Sequence, residues 1–134
     1  MYKRQSIDFV TPLYAALIGL VFTMLSVRTL RLRRRLGVAI GLGEEPILLK
    51  AVRAHGNFAE YVPIALLLMI FTELRTEGTI LIHVLGSLLL VGRLTHAYGI
   101  SQLKENYRFR VAGMAMTFTV IIACSLRLLA TYLM

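Results

Sequence analysis

The sequence predicts an all-α protein, an integral membrane four-helix bundle. Three observations carry that expectation. Of 134 residues, 57% are hydrophobic, beyond the usual range of a soluble domain. The apolar residues gather in four runs, of which the second and third reach the roughly 20 residues a helix needs to cross a bilayer only with their polar ends included. The formal net charge is +8, and most of the basic residues flank those runs rather than covering a face. This is the pattern of cytoplasmic membrane loops. A nucleic-acid binder would spread Lys and Arg over a solvated surface, so no nucleic-acid partner is expected.

The length suits one domain, residues 1–134. The first run is "TPLYAALIGLVFTMLSV", Thr11 to Val27, which predicts a span over about 9–30. A basic cluster follows it and no small-residue cleavage site, so a cleaved signal peptide is not expected. The second run starts amphipathic near Pro46 and turns wholly apolar from Tyr61 to Phe71, giving a span over about 47–74. In "GLGEEP", acidic residues precede Pro46, as at a helix start. The third run, "TILIHVLGSLLLVG", begins at Thr79 and gives a span over about 78–98. The fourth, Val111 to Met134, gives about 109–133. No internal repeat is apparent. The one cysteine, Cys124, lies in an apolar run and reads as a small hydrophobe. No Cys/His spacing suits a metal.

The loops suggest an orientation. The first carries Arg28, Arg31, Arg33, Arg34, Arg35, Lys50 and Arg53, and the third carries Lys104, Arg108 and Arg110. The second, "TELRTEG", has one arginine and two glutamates. The positive-inside rule places the first and third loops in the cytoplasm and both termini outside.

At "RAHGNFAEYVP", Arg53, Asn57 and Glu60 stand at i, i+4 and i+7 and share one helix face at the edge of an apolar run. Pro63 removes a helical donor and disturbs the carbonyl of Ala59. Two readings stay open for the stripe. Arg53 and Glu60 form a structural ion pair with Asn57 beside them, or the stripe is a ligand site, since ionisable groups inside membranes usually mark function. Other cations at the same membrane face favour a ligand: Arg31 after the first run, Arg93 and His96 at i, i+3 in "GRLTHAYG", and Arg108 and Arg110 before the fourth. Such a pocket suits a ligand with several anionic groups and one cationic group. His83, alone in mid-span, reads as a hydrogen-bonded structural residue. His55 reads as interfacial.

"RAHGNFAEYVP" resembles the helix-two signature of the MAPEG family, the membrane-associated proteins in eicosanoid and glutathione metabolism. The matching residues are Arg53, Asn57, Glu60, Tyr61 and Pro63. "GRLTHAYG" and "RVAGM" are similar to the third- and fourth-helix signatures of bacterial members, and the resemblance covers essentially the whole chain. It implies a homotrimer in a bacterial inner membrane, with glutathione as co-substrate between subunits at the cytoplasmic face. It implies a transferase or peroxidase acting on a hydrophobic small-molecule substrate. Arg53, Asn57, Glu60, Tyr61, Arg93 and His96 would then bind glutathione. Arg110, or Arg108 if the alignment slides, would hold the thiolate, and Arg31 matches an arginine at the end of helix one. Contact with membrane lipid follows.

Two departures stand out. Ile100 occupies the position where eicosanoid-processing members have a tyrosine, and Val111 the position of a serine found in one prostaglandin-synthesising branch. An eicosanoid synthase is therefore not expected. A non-catalytic lipid- or glutathione-binding protein is an alternative. A small multidrug-type transporter is another, but it calls for an acidic residue in the first span without arginine partners.

Overall fold

The computed structural model describes residues 9–102, 104 and 106–133. They form four helices: α1 (Thr11–Leu36), α2 (Pro46–Leu74), α3 (Ile80–Ser101) and α4 (Tyr107–Leu133). All four are long and apolar enough to cross a membrane. The shortest, α3, has 22 residues and measures about 33 Å at 1.5 Å per residue, slightly more than a hydrocarbon core.

The helices outrun the apolar runs. Helix α1 passes the expected end near residue 30 and continues through Arg33, Arg34 and Arg35 to Leu36. Arginine is a good helix former, and cations in a last turn face the negative end of the helix dipole. Gly37, at φ 67°, stops the helix in the left-handed conformation, and the Val38 N–H returns to the Arg33 carbonyl at 3.0 Å. Glu45 sits at the N-cap of α2 without a side-chain cap bond, and Pro46 opens the helix. Helix α2 then runs unbroken past Gly56 and Pro63.

Helices α2 and α3 form the middle of the bundle. Helix α1 packs on both from one flank and α4 on both from the other, while α1 and α4 do not meet among the described residues. The core between them includes Ile18, Phe58, Met69, Ile82, Leu89, Val120 and Cys124. Large apolar side chains also cover the outside, among them Leu20, Ile64, Leu67, Ile122 and Leu126. In water such a surface would aggregate. In a bilayer it is the lipid-facing surface.

Lipid gives helices no hydrophobic reason to associate, so close packing and polar contacts must hold them. Helices α3 and α4 touch backbone to backbone at Gly92 and Gly113. A Cβ on Gly113 would lie 2.5 Å from the Gly92 oxygen. Polar ties secure both ends of the bundle. At one end the Glu73 carboxylate accepts from the backbone N–H groups of Val10 and Thr11 and so caps α1 from the end of α2. Nearby, the Tyr14 hydroxyl lies 3.1 Å from His83 Nδ1 and 2.9 Å from Ser87 Oγ, which makes His83 the hydrogen-bonded structural residue expected. At the arginine-rich end, Lys50 Nζ donates to the Gln102 carbonyl at 2.6 Å, and Arg28 donates to Ser101 Oγ. Two cations thus face the end of α3, where carbonyls lack helical partners.

Candidate functional site

At the arginine-rich end, α2, α3 and α4 converge on a cleft of about 350 Å³. The turn into α4 shapes it. Asn106 Oδ1 accepts from the Arg108 N–H at 3.1 Å, as an N-cap does. Asn106 also donates its own N–H to the Gly99 carbonyl at 3.3 Å. The start of α4 is thereby fixed against the end of α3. Arg110, half-buried in the first turns of α4, then faces the cleft with Asn57 of α2 and His96 of α3. Tyr107 stands at its mouth, and Met114 and Phe118 form an apolar wall.

Arg93 lies directly behind the cleft. It is 0% exposed. Its guanidinium donates to Asn57 Oδ1 at 2.6 Å and to Thr117 Oγ1 at 3.2 Å, and lies 3.2 Å from His96 Nδ1. The Phe58 ring faces it at 5.5 Å. One arginine of α3 therefore holds side chains of α2 and α4 as well as its own helix. The low-dielectric interior penalises every unmet donor of a buried charge; these bonds serve the two terminal nitrogens, while the buried Nε has no partner.

The remaining candidates lie around this centre. Tyr61 is half-buried beside the cleft, its ring edge-on to Phe118 at 5.5 Å. Arg53 and Glu60 are exposed on α2, and no ion pair joins them among the described residues. The intrachain pair that their spacing left open is thus not formed. Arg108 is exposed, and Arg110, not Arg108, lines the cleft. Arg31 is not brought to this cleft. It is exposed on α1 in a separate groove with Val27, Leu30 and Arg34. Ile100 is buried in the core. His55 stacks on Phe22 at 4.8 Å and lies 2.9 Å from Ser26 Oγ, between α1 and α2.

Sequence reasoning missed Tyr107, Met114 and Phe118. With Arg110 they fall at i, i+3, i+7 and i+11, which is one helix face. That spacing was available as a signal, but an apolar stripe on a membrane helix is ordinarily lipid contact. Thr117 gave no signal of its own.

Residues 11–130 match the sequence profile of the MAPEG family. The chain is similar to the inner membrane protein YecN of Escherichia coli strain K12. The two are 40% identical over 113 residues, which cover 84% of this chain and 85% of that protein. The same identity and coverage hold for the protein of that name from Escherichia coli O6:H1.

Proposed function

Since the chain belongs to the MAPEG family, we propose that it is a glutathione-dependent transferase or peroxidase of a bacterial inner membrane, acting on lipophilic electrophiles. The observation that carries this reading is the cleft itself. Three helices bring Asn57, His96 and Arg110 to one place, next to an apolar wall. Glutathione offers two carboxylates, an ammonium group and a thiol. Arginine forks suit carboxylates, and Arg53 on α2 is available for one. Glu60 takes the ammonium, and Tyr61 donates from the edge of the cleft. Arg110 stabilises the thiolate once the thiol proton has passed to water. The thiolate sulfur then attacks an electrophilic carbon, and the S–C bond forms as the leaving group departs with its electron pair. The wall of Met114 and Phe118 suits the apolar body of such a substrate. The positive-inside rule supports the first and third loops, and with them this cleft, on the cytoplasmic side.

Glu60 is the sharpest test of the ligand assignment. It is exposed and has no cationic partner among the described residues, so its removal will leave the fold alone. Glu60→Ala will weaken glutathione binding roughly tenfold or more, the size of a lost charged contact. Calorimetry on the purified variant measures this, and unchanged affinity would remove Glu60 from the site.

The placement of Arg31, if it too meets the ligand, supports a homotrimer. Arg31 lies on the flank opposite Arg110, and α1 and α4 do not touch among the described residues. A ligand that meets both arginines therefore needs a neighbouring copy. A closed ring of three copies provides three equivalent sites between subunits. Native mass spectrometry from mild detergent will show the trimer, whereas a clean monomer or dimer would refute the shared site.

A non-catalytic glutathione- or lipid-binding role is the second reading. Ile100, buried where eicosanoid-processing relatives carry a tyrosine, favours it over eicosanoid chemistry. Conjugate formation by the purified protein separates the two.

A further inference from the structure

Arg93 is the largest fully buried side chain among the described residues. A guanidinium has donors and no acceptor. Each group it bonds must therefore turn an acceptor toward it. Thr117 does so with its oxygen and passes its own proton to the Gly113 carbonyl at 2.9 Å. Asn57 does so with Oδ1, 2.6 Å away, which leaves its two amide N–H bonds for the cleft. His96 does so with Nδ1, 3.2 Å away, so that nitrogen carries no proton and the ring proton sits on Nε2. Both Asn57 and His96 line the cleft, with Arg110 beside them. No carboxylate pairs with Arg93 among the described residues. The cation behind the cleft is thus left without a negative partner of its own, a costly state for a buried charge.

We propose that Arg93 is a positioning residue that sets the hydrogen-bond polarity of the cleft. By occupying the acceptors of Asn57 and His96 it makes both present N–H, so the group seated between them is an anion. This rests on the reading of the cleft as the glutathione site, and there the anion is a carboxylate of the tripeptide, since Arg110 takes the sulfur. Arg93 itself touches no ligand, in contrast to the direct contact expected from the sequence. Its charge supports the anion from behind, through the two side chains it orients.

Two measurements test this. Nitrogen NMR of histidine-labelled protein in detergent, without glutathione, will show His96 as the Nε2–H tautomer. In Arg93→Met that preference will disappear. A proton on Nδ1 in the parent, or an unaltered tautomer in Arg93→Met, overturns the proposal. Should Arg93→Met fail to fold, Asn57→Asp decides the role of polarity. It keeps an acceptor for Arg93 but turns an oxygen instead of N–H toward the cleft. Its melting temperature will hold or rise while glutathione binding weakens at least tenfold. Equal or tighter binding overturns the proposal. If the parent binds no glutathione, the glutathione reading fails, and the His96 tautomer still judges the polarity by itself.

Discussion

Replacing Gly113 by alanine will destabilise the bundle by roughly 2 kcal/mol or more, within the range of core overpacking, and replacing it by leucine will prevent folding. The added Cβ would stand 2.5 Å from the Gly92 oxygen, 2.6 Å from the His96 nitrogen and 2.7 Å from the His96 Cβ. None of these is the far end of a flexible side chain. All belong to the α3 backbone or its first side-chain atom, so the helices can accept the methyl only by moving apart. That movement would also open the contacts at Gly92 and Gly99, where a Cβ would already lie 2.8 Å from Met116 Cβ and Phe109 Cβ respectively. Between membrane helices such packing is a main source of attraction. Gly19→Ala is the matched control. A Cβ there meets nothing within 4 Å, and the change gains about 0.5–1 kcal/mol of helix propensity. Thermal unfolding followed by circular dichroism in detergent compares the two. If Gly113→Ala melts together with Gly19→Ala, the close crossing of α3 and α4 is wrong. His96 rides on that crossing, so the alanine variant should also lose glutathione affinity.

The four spans were legible because a bilayer demands long apolar runs and the chain supplies four. Their ends were less so. Hydropathy falls at Arg28, yet α1 continues to Leu36, because arginine tolerates helix well and only Gly37 breaks it. The Arg53, Asn57 and Glu60 stripe was legible from spacing, since Gly56 and Pro63 leave α2 continuous. Its internal pairing was not, because whether Arg53 reaches Glu60 depends on side-chain directions that periodicity does not fix. Arg93 shows the same limit more strongly. Its position three residues before His96 was visible, but its burial depends on Asn57 and Thr117, brought from two other helices. Gly92 and Gly113 could be seen only as small residues in apolar runs until their pairing was known. The separation of Arg31 from Arg110 likewise needs the packing order, in which α2 and α3 stand between α1 and α4.

On the proposed mechanism the unmodified protein will develop the ultraviolet absorbance of glutathione thiolate on mixing, and changing Arg110 to leucine will abolish it. A free thiol is mostly protonated at neutral pH, and a nearby cation stabilises its anion. One unit of thiol acidity is about 1.4 kcal/mol, and a close charge in a partly dry site supplies several units. Arg110 meets those conditions. It is half-buried and lines the cleft. Its backbone N–H bonds the Asn106 carbonyl in the first turns of α4, where the positive end of the helix adds to its charge. Arg108 is exposed and outside the cleft, so Arg108→Leu should do little. Binding of glutathione to Arg110→Leu should weaken less than the thiolate signal, because the carboxylate and ammonium contacts remain. Turnover with a lipophilic electrophile should fall at least tenfold. If Arg108→Leu carries the effect instead, the first turn of α4 is rotated relative to the cleft and the mechanism stands. If neither substitution changes signal or turnover, Arg31 is the next candidate. It must then come from a neighbouring copy, because among the described residues α1 does not reach α4 in its own chain. If the unmodified protein forms no thiolate at all, the enzyme reading fails, and a site built of Arg53, Asn57, Glu60 and His96 is left to hold glutathione without activating it.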